Sequence, residues 1–314
     1  MSIDDINGSS NDGQAKDLKI GLLGYGEVGR ILAEDLEKFG VQALAACDIK
    51  VGTPDEGVLL AHARKHGVKL SSSAEVLTGS NLVISAVTAG QTVEAAMACA
   101  SDARCMWFLD MNSASPGAKL QASDIIERVN GRYVEAAVMS SVPPSRIQCP
   151  ILLGGKHARD ILPVLEELGF NASVGSNVLG VVSATKLCRS VMVKGFEALT
   201  LECYIAARAW GVESEVMESL GRTFPGLNFE QQGDYFFSRV MRHGKRRAEE
   251  MREAVKTLCE VGVKHWMSES SVNWQDWAVA QAEEDVWDSA EPSDLQWREV
   301  ADRLIAMSDG TEPS

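Results

Sequence analysis

From Leu18 to about Gly175, short apolar runs of strand length alternate with segments whose apolar residues recur at helical spacing. This is how a parallel sheet with crossover helices is written. The apolar runs predict strands at Lys19 to Leu23, Ala43 to Cys47, Leu82 to Val87, Met106 to Met111, Arg132 to Met139 and Ile151 to Gly154. After the first strand, Val28, Ile31, Leu32, Leu36 and Phe39 form one helical face, Glu34 and Lys38 an i,i+4 pair, and Gly40 stands where a C-cap belongs. Thr53-Pro54-Asp55-Glu56 and Ser72-Ser73-Ala74-Glu75 have the form of capping boxes and predict two more helix starts.

Beyond Gly175 the strand signal stops. Residues 180 to 211 hold no proline and, inside the stretch, a single glycine, Gly195; they make the longest and most apolar helical segment. Shorter helical patterns follow to about Gly262, and Ser293-x-x-Gln296 is expected to cap a final helix. The expected organisation is a disordered leader (1–16), a parallel-sheet α/β domain (17–179), an all-helical domain (180–307) and a disordered tail (308–314). Trp266, Trp274, Trp277, Trp287 and Trp297 crowd the end of the chain, beside Glu283, Glu284, Asp285 and Asp288. Such indoles either fill the helical core or form a subunit interface.

Charge narrows the function. Across 314 residues, 30 Lys and Arg against 44 Asp and Glu leave a net charge of −14, which repels phosphate backbones and anionic lipid surfaces. Neither a nucleic acid nor a membrane is an expected partner. The seven cysteines form no C-x-x-C pair and read as reduced core thiols of a cytoplasmic protein. No apolar run is long enough to span a bilayer, and the polar, acidic start is unlike a signal peptide.

Gly24-Tyr25-Gly26-Glu27-Val28-Gly29 follows a strand and opens a helix, and Asp48 ends the next strand 24 residues after the first glycine. The first glycine permits a tight turn, the second lets backbone N–H groups reach a pyrophosphate, and the third lets helix and strand pack closely. The context is that of a Rossmann-type dinucleotide site, with the phosphates on a helix N-terminus. A structural glycine turn, or the related turn of a methyltransferase with an adenosyl cofactor, has the same spacing. Asp48 accepts from ribose hydroxyls and repels a 2′-phosphate, which favours NAD over NADP, although Lys50 lies close by.

Two further strand ends, Ala86-Val87-Thr88 and Asp110-Met111-Asn112-Ser113, should line the same crevice. Val87, Thr88 and Asn112 are candidates for the cofactor, unless the polar cluster merely satisfies turn backbone. On the long helix, Lys186, Ser190, Lys194 and Glu197 fall at spacings of 4, 8 and 11 and share one face. That stripe either faces solvent or is enclosed. Val182, Leu187, Val191, Met192, Phe196 and Leu199 on the other faces argue for enclosure, which would lower a lysine pKa toward that of a proton-transfer group. Lys194, about 12 Å further along the axis, suits pairing with a substrate anion.

At this point the chain resembles the β-hydroxyacid dehydrogenase superfamily, which includes 3-hydroxyisobutyrate and 6-phosphogluconate dehydrogenases. It is most similar to a phosphogluconate dehydrogenase-like branch with its own C-terminal domain. The resemblance covers roughly residues 18 to 268 and rests on the glycine fingerprint, on Asp110-Met-Asn-Ser-Ala-Ser-Pro116, on Ala137-Val-Met-Ser-Ser-Val-Pro-Pro144, and on Gly180-Val-Val-Ser-Ala-Thr-Lys186-Leu-Cys-Arg-Ser190. It implies an NAD(P)-dependent oxidoreductase acting on a small, anionic hydroxy acid, with Lys186 as general acid/base. Ser113, Ser140, Ser141 and Ser190 would orient the substrate and His243 could reach the cleft. Ser140-Ser141-Val142 replaces the usual Ser-Gly-Gly and Ser190 replaces the usual Asn. The resemblance therefore carries the fold and the lysine but not the name of the substrate.

His243 lies in Arg239-Val-Met-Arg-His-Gly-Lys-Arg-Arg247, the most basic run, which also reads as a solvated helix face. The other histidines, His62, His66, His157 and His265, suggest no metal-ligand spacing, and no metal is expected. An imine or opine-type reductase is the alternative reading within enzymology, and a non-catalytic dinucleotide sensor the alternative outside it. A homodimer through the helical domain is expected.

Overall fold

The computed structural model describes residues 17–99, 107–283 and 295–308. The leader, Cys105 and Met106, the acidic run around Trp287, the Ser293 cap and residues 309–314 lie outside the described residues. The chain divides into two compact units, one through Lys186 and one from Leu187 onward.

The first unit is an eight-stranded sheet: β1 (Lys19–Leu23), β2 (Ala43–Cys47), β3 (Lys69–Leu70), β4 (Leu82–Ser85), β5 (Trp107–Asp110), β6 (Arg132–Val138), β7 (Ile151–Gly154) and β8 (Ala172–Ser176). Their order is β3-β2-β1-β4-β5-β6-β7-β8, parallel throughout except where β6 meets β7. The expectation of a parallel sheet thus fails at one junction. The connection between β6 and β7 holds only the single turn of α6 and a 3-10 turn at Arg146–Gln148, and the chain returns antiparallel at the carboxyl end of β6. β3 and β8 carry no apolar run that a sequence pattern could register: one is two residues long, and the other reads Ala-Ser-Val-Gly-Ser.

Helix α1 (Glu27–Lys38) follows β1 and ends as its sequence predicts. Gly40 takes φ 91°, its N–H bonds to Glu37 O, and Val41 N–H bonds back to Leu36 O, the two bonds of a Schellman motif. The predicted Glu34–Lys38 pair does not form. Lys38 bonds to Asp35 instead, while Glu34 turns to His62 and Arg146. Helix α2 (Glu56–Lys65) begins at Glu56, so Thr53 heads a turn rather than the helix. In α3 (Ser73–Thr78) the reciprocal capping box is present: Ser72 N–H reaches the Glu75 carboxylate, and Glu75 N–H reaches Ser72 Oγ. Helices α4 (Thr92–Cys99), α5 (Pro116–Arg128), α6 (Val142–Ser145) and α7 (Ala158–Glu167) complete the unit.

Helix α8 (Val181–Trp210) carries the chain into the second unit. The boundary falls after the expected 179/180 because the start of α8 is anchored on the sheet. Gly180 N–H donates to the buried Glu135 carboxylate at 2.6 Å, and Val182 packs so closely on Gly154 and Gly175 that neither has room for a Cβ. The second unit adds α9 (Glu213–Thr223), α10 (Phe229–Glu260), α11 (Trp266–Ala282) and α12 (Trp297–Ser308). Gly244 lets α10 approach α11, since a Cβ there would stand 2.7 Å from Val279. Trp297, fully buried, packs with Tyr204 and Phe237 at the centre of this core. Trp274 and Trp277 are partly buried against it, and Trp266 is exposed.

The polar stripe of α8 is largely enclosed, as expected, and Val182 and Leu187 are buried with it, but the rest of the apolar surface is not all covered. Met192, Phe196 and Leu199 are exposed, whereas Ser190, Lys194 and Glu197 are buried. The countercharges come from α10: Lys194 pairs with Glu250 at 2.8 Å, and Arg247 donates to both oxygens of Glu197 through Nε and Nη2. The thiols also depart from a core-only reading. Cys99 and Cys149 are buried, but Cys188, Cys203 and Cys259 are exposed. Among the described residues no helix is long and apolar enough to cross a membrane.

Arg146 closes the β6–β7 connection at φ 54°, a strained conformation for a residue with a side chain. It is held there by Asp35 at 2.9 Å and Glu34 at 2.6 Å. Hydrogen bonds from His62 and then Arg146 outweigh burial and hold the Glu34 carboxyl at about 2. For Asp35, burial pushes upward, and Lys38, Arg146 and the Ile147 N–H together outweigh it, leaving the pKa lowered. A carboxylate with a depressed folded pKa contributes stability that is complete above its unfolded value and lost as pH falls toward the folded one. Stability is therefore expected to drop from about pH 4.5 toward 2. In urea titrations Arg146→Ala should flatten that slope; a slope equal to wild type would detach Arg146 from the acid response.

Candidate active site at the carboxyl ends of the strands

The strand order reverses between β1 and β4, and ligands of open parallel sheets bind beyond the carboxyl ends at such a point. The glycine turn lies there, and its three glycines do three different jobs. Gly24 takes φ 89°, and a Cβ on it would meet Ala86 O at 2.5 Å. A Cβ on Gly29 would stand 2.2 Å from Gly24 O, so this glycine lets the helix close on the turn. Among the described residues, a Cβ on Gly26 would meet nothing within 4 Å. No contact with a described residue requires a glycine there, so the unfilled space is the observation that fits a ligand's phosphates.

Gly26 is also the N-cap of α1 and offers no side chain to the first turn, which leaves the N–H groups of Glu27, Val28 and Gly29 for an anion. The Glu27 side chain is exposed, and Val28 packs against the core. Asp48, just past β2, is aimed by two backbone donors: Tyr25 N–H at 2.7 Å and Lys50 N–H at 2.9 Å. The carboxylate keeps lone pairs for ribose hydroxyls. Burial raises the Tyr25 phenol to about 12, so it remains a neutral hydroxyl.

The next two strand ends are tied to each other. Asn112, buried, accepts from Val87 N–H at 2.8 Å and donates to Ser85 Oγ at 3.0 Å. Its amide is committed to joining β4 to β5, a positioning role that the sequence did not separate from cofactor contact. Thr88 is exposed at the head of a 3-10 turn, Ala89–Gln91. Beneath them is a group that the sequence reading missed. Asp110 receives Lys119 Nζ at 2.7 Å, Tyr133 Oη–H at 2.6 Å and Asn112 N–H at 2.9 Å, all buried. The available signal was Lys119 itself, a charged residue in register with Ala122 and Ile126 on the inward face of α5. Glu135, on the neighbouring strand, has its carboxyl pKa pushed up by burial, against the pull of Lys119.

Ser113 follows this group, and Lys186 Nζ donates to its hydroxyl at 2.5 Å. The lysine amine therefore stands at the carboxyl edge of the sheet, half-buried. Ser140 is exposed with its Oγ 3.1 Å from Cys149 Sγ, and Ser141 caps the single turn of α6. Within the helical unit, Ser190 Oγ accepts from Lys194 at 3.2 Å. Burial lowers the Lys194 pKa, and Glu250 works against it. His243 lies on α10 with its pKa lowered by burial first and then by Arg246, Arg239, Arg247 and Arg242. The basic run around it is largely paired: Arg247 with Glu197, and Arg246 with Glu250. The absence of metal-ligand spacing does not hold for His62 and His66, which lie one turn apart beside Glu34.

Fold and turn together define a dinucleotide-binding protein with a helical C-terminal unit. Residues 207–278 match a family described as a domain of unknown function (DUF1932). The chain is similar to a conserved hypothetical protein of Sinorhizobium meliloti, at 31% identity and TM-score 0.73 over 94% of this chain and 99% of that one. It is also similar to conserved protein MTH1747, of unknown function and described as structurally similar to 3-hydroxyacid dehydrogenases, at 32% identity and TM-score 0.66 over 83% and 96%. The fold alone is shared with Mycobacterium tuberculosis 3-hydroxyisobutyrate dehydrogenase solved with L-serine (17% identity, TM-score 0.67, 92% and 99%) and with a Myxococcus stipitatus imine reductase variant in complex with NAD+ (15%, 0.55, 92% and 99%). The chain belongs to the 3-hydroxyacid and 6-phosphogluconate dehydrogenase-like NAD(P)-binding superfamily.

The three glycines should separate in a stability assay. Gly29→Ala forces a methyl onto a carbonyl and should cost about 2 kcal/mol or more, lowering Tm by several degrees. Gly26→Ala should change stability by less than about 1 kcal/mol. Equal losses at the two positions would contradict the open space at Gly26.

Proposed function

We propose that this chain is an NAD(P)-dependent oxidoreductase that moves a hydride between nicotinamide and the hydroxyl or carbonyl carbon of a small, anionic hydroxy acid, with Lys186 as general acid/base. The observation that carries the reading is the Lys186–Ser113 contact at the carboxyl edge of β5, in the unit that also holds the glycine turn. A sensor needs no proton relay at that edge. The unfilled space at Gly26 and the aimed Asp48 carboxylate support a bound dinucleotide. A 2′-hydroxyl on the adenosine ribose suits Asp48 better than a 2′-phosphate, and NAD is favoured accordingly.

The bound nicotinamide supplies the hydride acceptor or donor. In oxidation the neutral Lys186 amine takes the hydroxyl proton as the C–H electron pair leaves the carbinol carbon; in reduction the ammonium returns a proton to the carbonyl oxygen. Ser113, hydrogen-bonded to that amine, orients the same oxygen. Ser140, Ser141, Ser190 and His243 are assigned to the substrate side, and Lys194 to its anionic group. With Glu250 already beside it, Lys194 offers that anion a shared cation. The protein works in the cytoplasm.

The assembly we propose is a homodimer through the helical unit. Met192, Phe196, Leu199 and Trp210 leave an apolar stripe exposed along one face of α8, with Trp210 at 84%. Contiguous apolar surface of this kind marks an interaction site. Phe196→Glu should turn a sedimenting dimer into a monomer, and a wild-type chain that is monomeric at micromolar concentration would remove the proposal.

Lys186→Ala should lower turnover by about 10² to 10⁴ while cofactor affinity, read by fluorescence titration with NADH and NADPH, stays within about twofold. The assay panel pairs small 3-hydroxy acids and their ketones with cyclic imines. Unchanged turnover in the variant removes the lysine from the mechanism. Activity confined to imines moves the chain to the imine-reductase reading, and NADH consumption that is flat against every carbonyl and imine leaves a sensor.

A further inference from the structure

We propose that Glu34, His62 and His66 form a binding site for a divalent transition cation, of which zinc is the natural probe, where α1 faces α2. His62 lies on α2 and His66 caps its end, one helical turn apart, so their rings share a face with centroids 4.5 Å apart. Glu34 comes from the middle of α1, with Oε1 3.0 Å from His62 Nε2. One donor atom from each of the three lies within 4.8 Å of the others, and no other such trio occurs among the described residues. Zinc bonds of about 2.0 to 2.1 Å in a tetrahedron set ligand atoms roughly 3.3 Å apart. Small rotations of the rings close the remaining distance.

The surroundings are arranged as an outer shell. Tyr25 Oη lies 2.9 Å from His62 Nδ1, and the Glu37 carboxylate lies 2.7 Å from His66 Nδ1. Holding one nitrogen of each ring fixes its orientation and directs the other, Nε2, to a cation, as second partners do at metal-ligating histidines. On loading, Nε2 of His62 gives up its hydrogen bond to Glu34, and the Tyr25 hydroxyl rotates to accept from Nδ1–H. Arg146 Nη2 bonds to Glu34 Oε2 at 2.6 Å, which steadies the carboxylate and leaves Oε1 as the ligand. The histidine side chains are 14% and 15% exposed, buried enough to be ordered and open enough to admit an ion and a water as fourth ligand.

Two imidazoles and one carboxylate select among cations. Calcium and magnesium take oxygen ligands, so the set suits zinc, cobalt, nickel or copper. None of the three residues belongs to the fingerprint or to the Lys186 edge, and the proposal stands whether or not the chain is a dehydrogenase.

The test is calorimetric titration of the full-length chain, free of any histidine tag and stripped with chelator, against zinc chloride, with cobalt chloride as spectroscopic probe. One equivalent of zinc is expected at micromolar affinity or tighter. His62→Ala and, separately, His66→Asn should each weaken it at least tenfold with unchanged circular dichroism, while Cys259→Ser, which alters the exposed thiol beside His265, should leave it intact. Bound cobalt should give visible d–d bands without a thiolate charge-transfer band. Failure of wild type to bind at 100 micromolar (roughly −5.5 kcal/mol), wild-type affinity retained in both histidine variants, or a thiolate band would overturn the proposal.

Discussion

Two charges that have almost no access to water constrain the sheet unit. Asp110 ends β5 and Lys119 lies on the inward face of α5, and each is tolerable in the interior only because it faces the other. Removing one partner from such a pair costs about 3 to 5 kcal/mol, so the pairing fixes where α5 lies against the strand. Tyr133 from β6 fills the second carboxylate oxygen, and the Asn112 N–H returns to the first. With the backbone pinned on both sides of Met111, Ser113 has a defined position, and the Lys186 amine has a fixed hydroxyl to meet.

The same logic explains why the helix carrying Lys186 enters the sheet unit where it does. The Glu135 carboxyl, raised by burial, receives Gly180 N–H, and Gly154 and Gly175 leave room for Val182. Each contact uses a small or polar residue that is out of place when the strands are read as apolar runs. They become intelligible together, as the socket for the first turn of α8. Further along that helix Glu197 and Arg247 repeat the device inside the helical unit.

Much of the fold was legible along the chain because its signals are local. The fingerprint, the apolar runs of β1, β2 and β7, the Gly40 cap and the Ser72–Glu75 box depend on residues within a few positions of one another. Local readings failed where a distant partner outbid the near one. Glu34 prefers Arg146, 112 residues away, to Lys38. On α8, Met192, Phe196 and Leu199 are left exposed while Lys194 and Glu197 are buried, because α10 supplies the countercharges for the polar face. The short β3 and the polar β8 exist only because a neighbouring strand supplies their hydrogen bonds.

A dinucleotide turn, its acidic strand end, the alternation of strand and helix, and a lysine at a set point on a long helix can all be read along the chain. These are properties of spacing, and spacing survives without coordinates. Folding had to bring distant residues together before Asn112 could join two strands, Lys194 gain a carboxylate beside it, Lys119 become a buried cation, and Glu34 stand beside two histidines. The reason is physical: a side chain's charge and hydrogen-bonding capacity are set by whichever groups exclude water from it, and the chain brings those groups from far along its length.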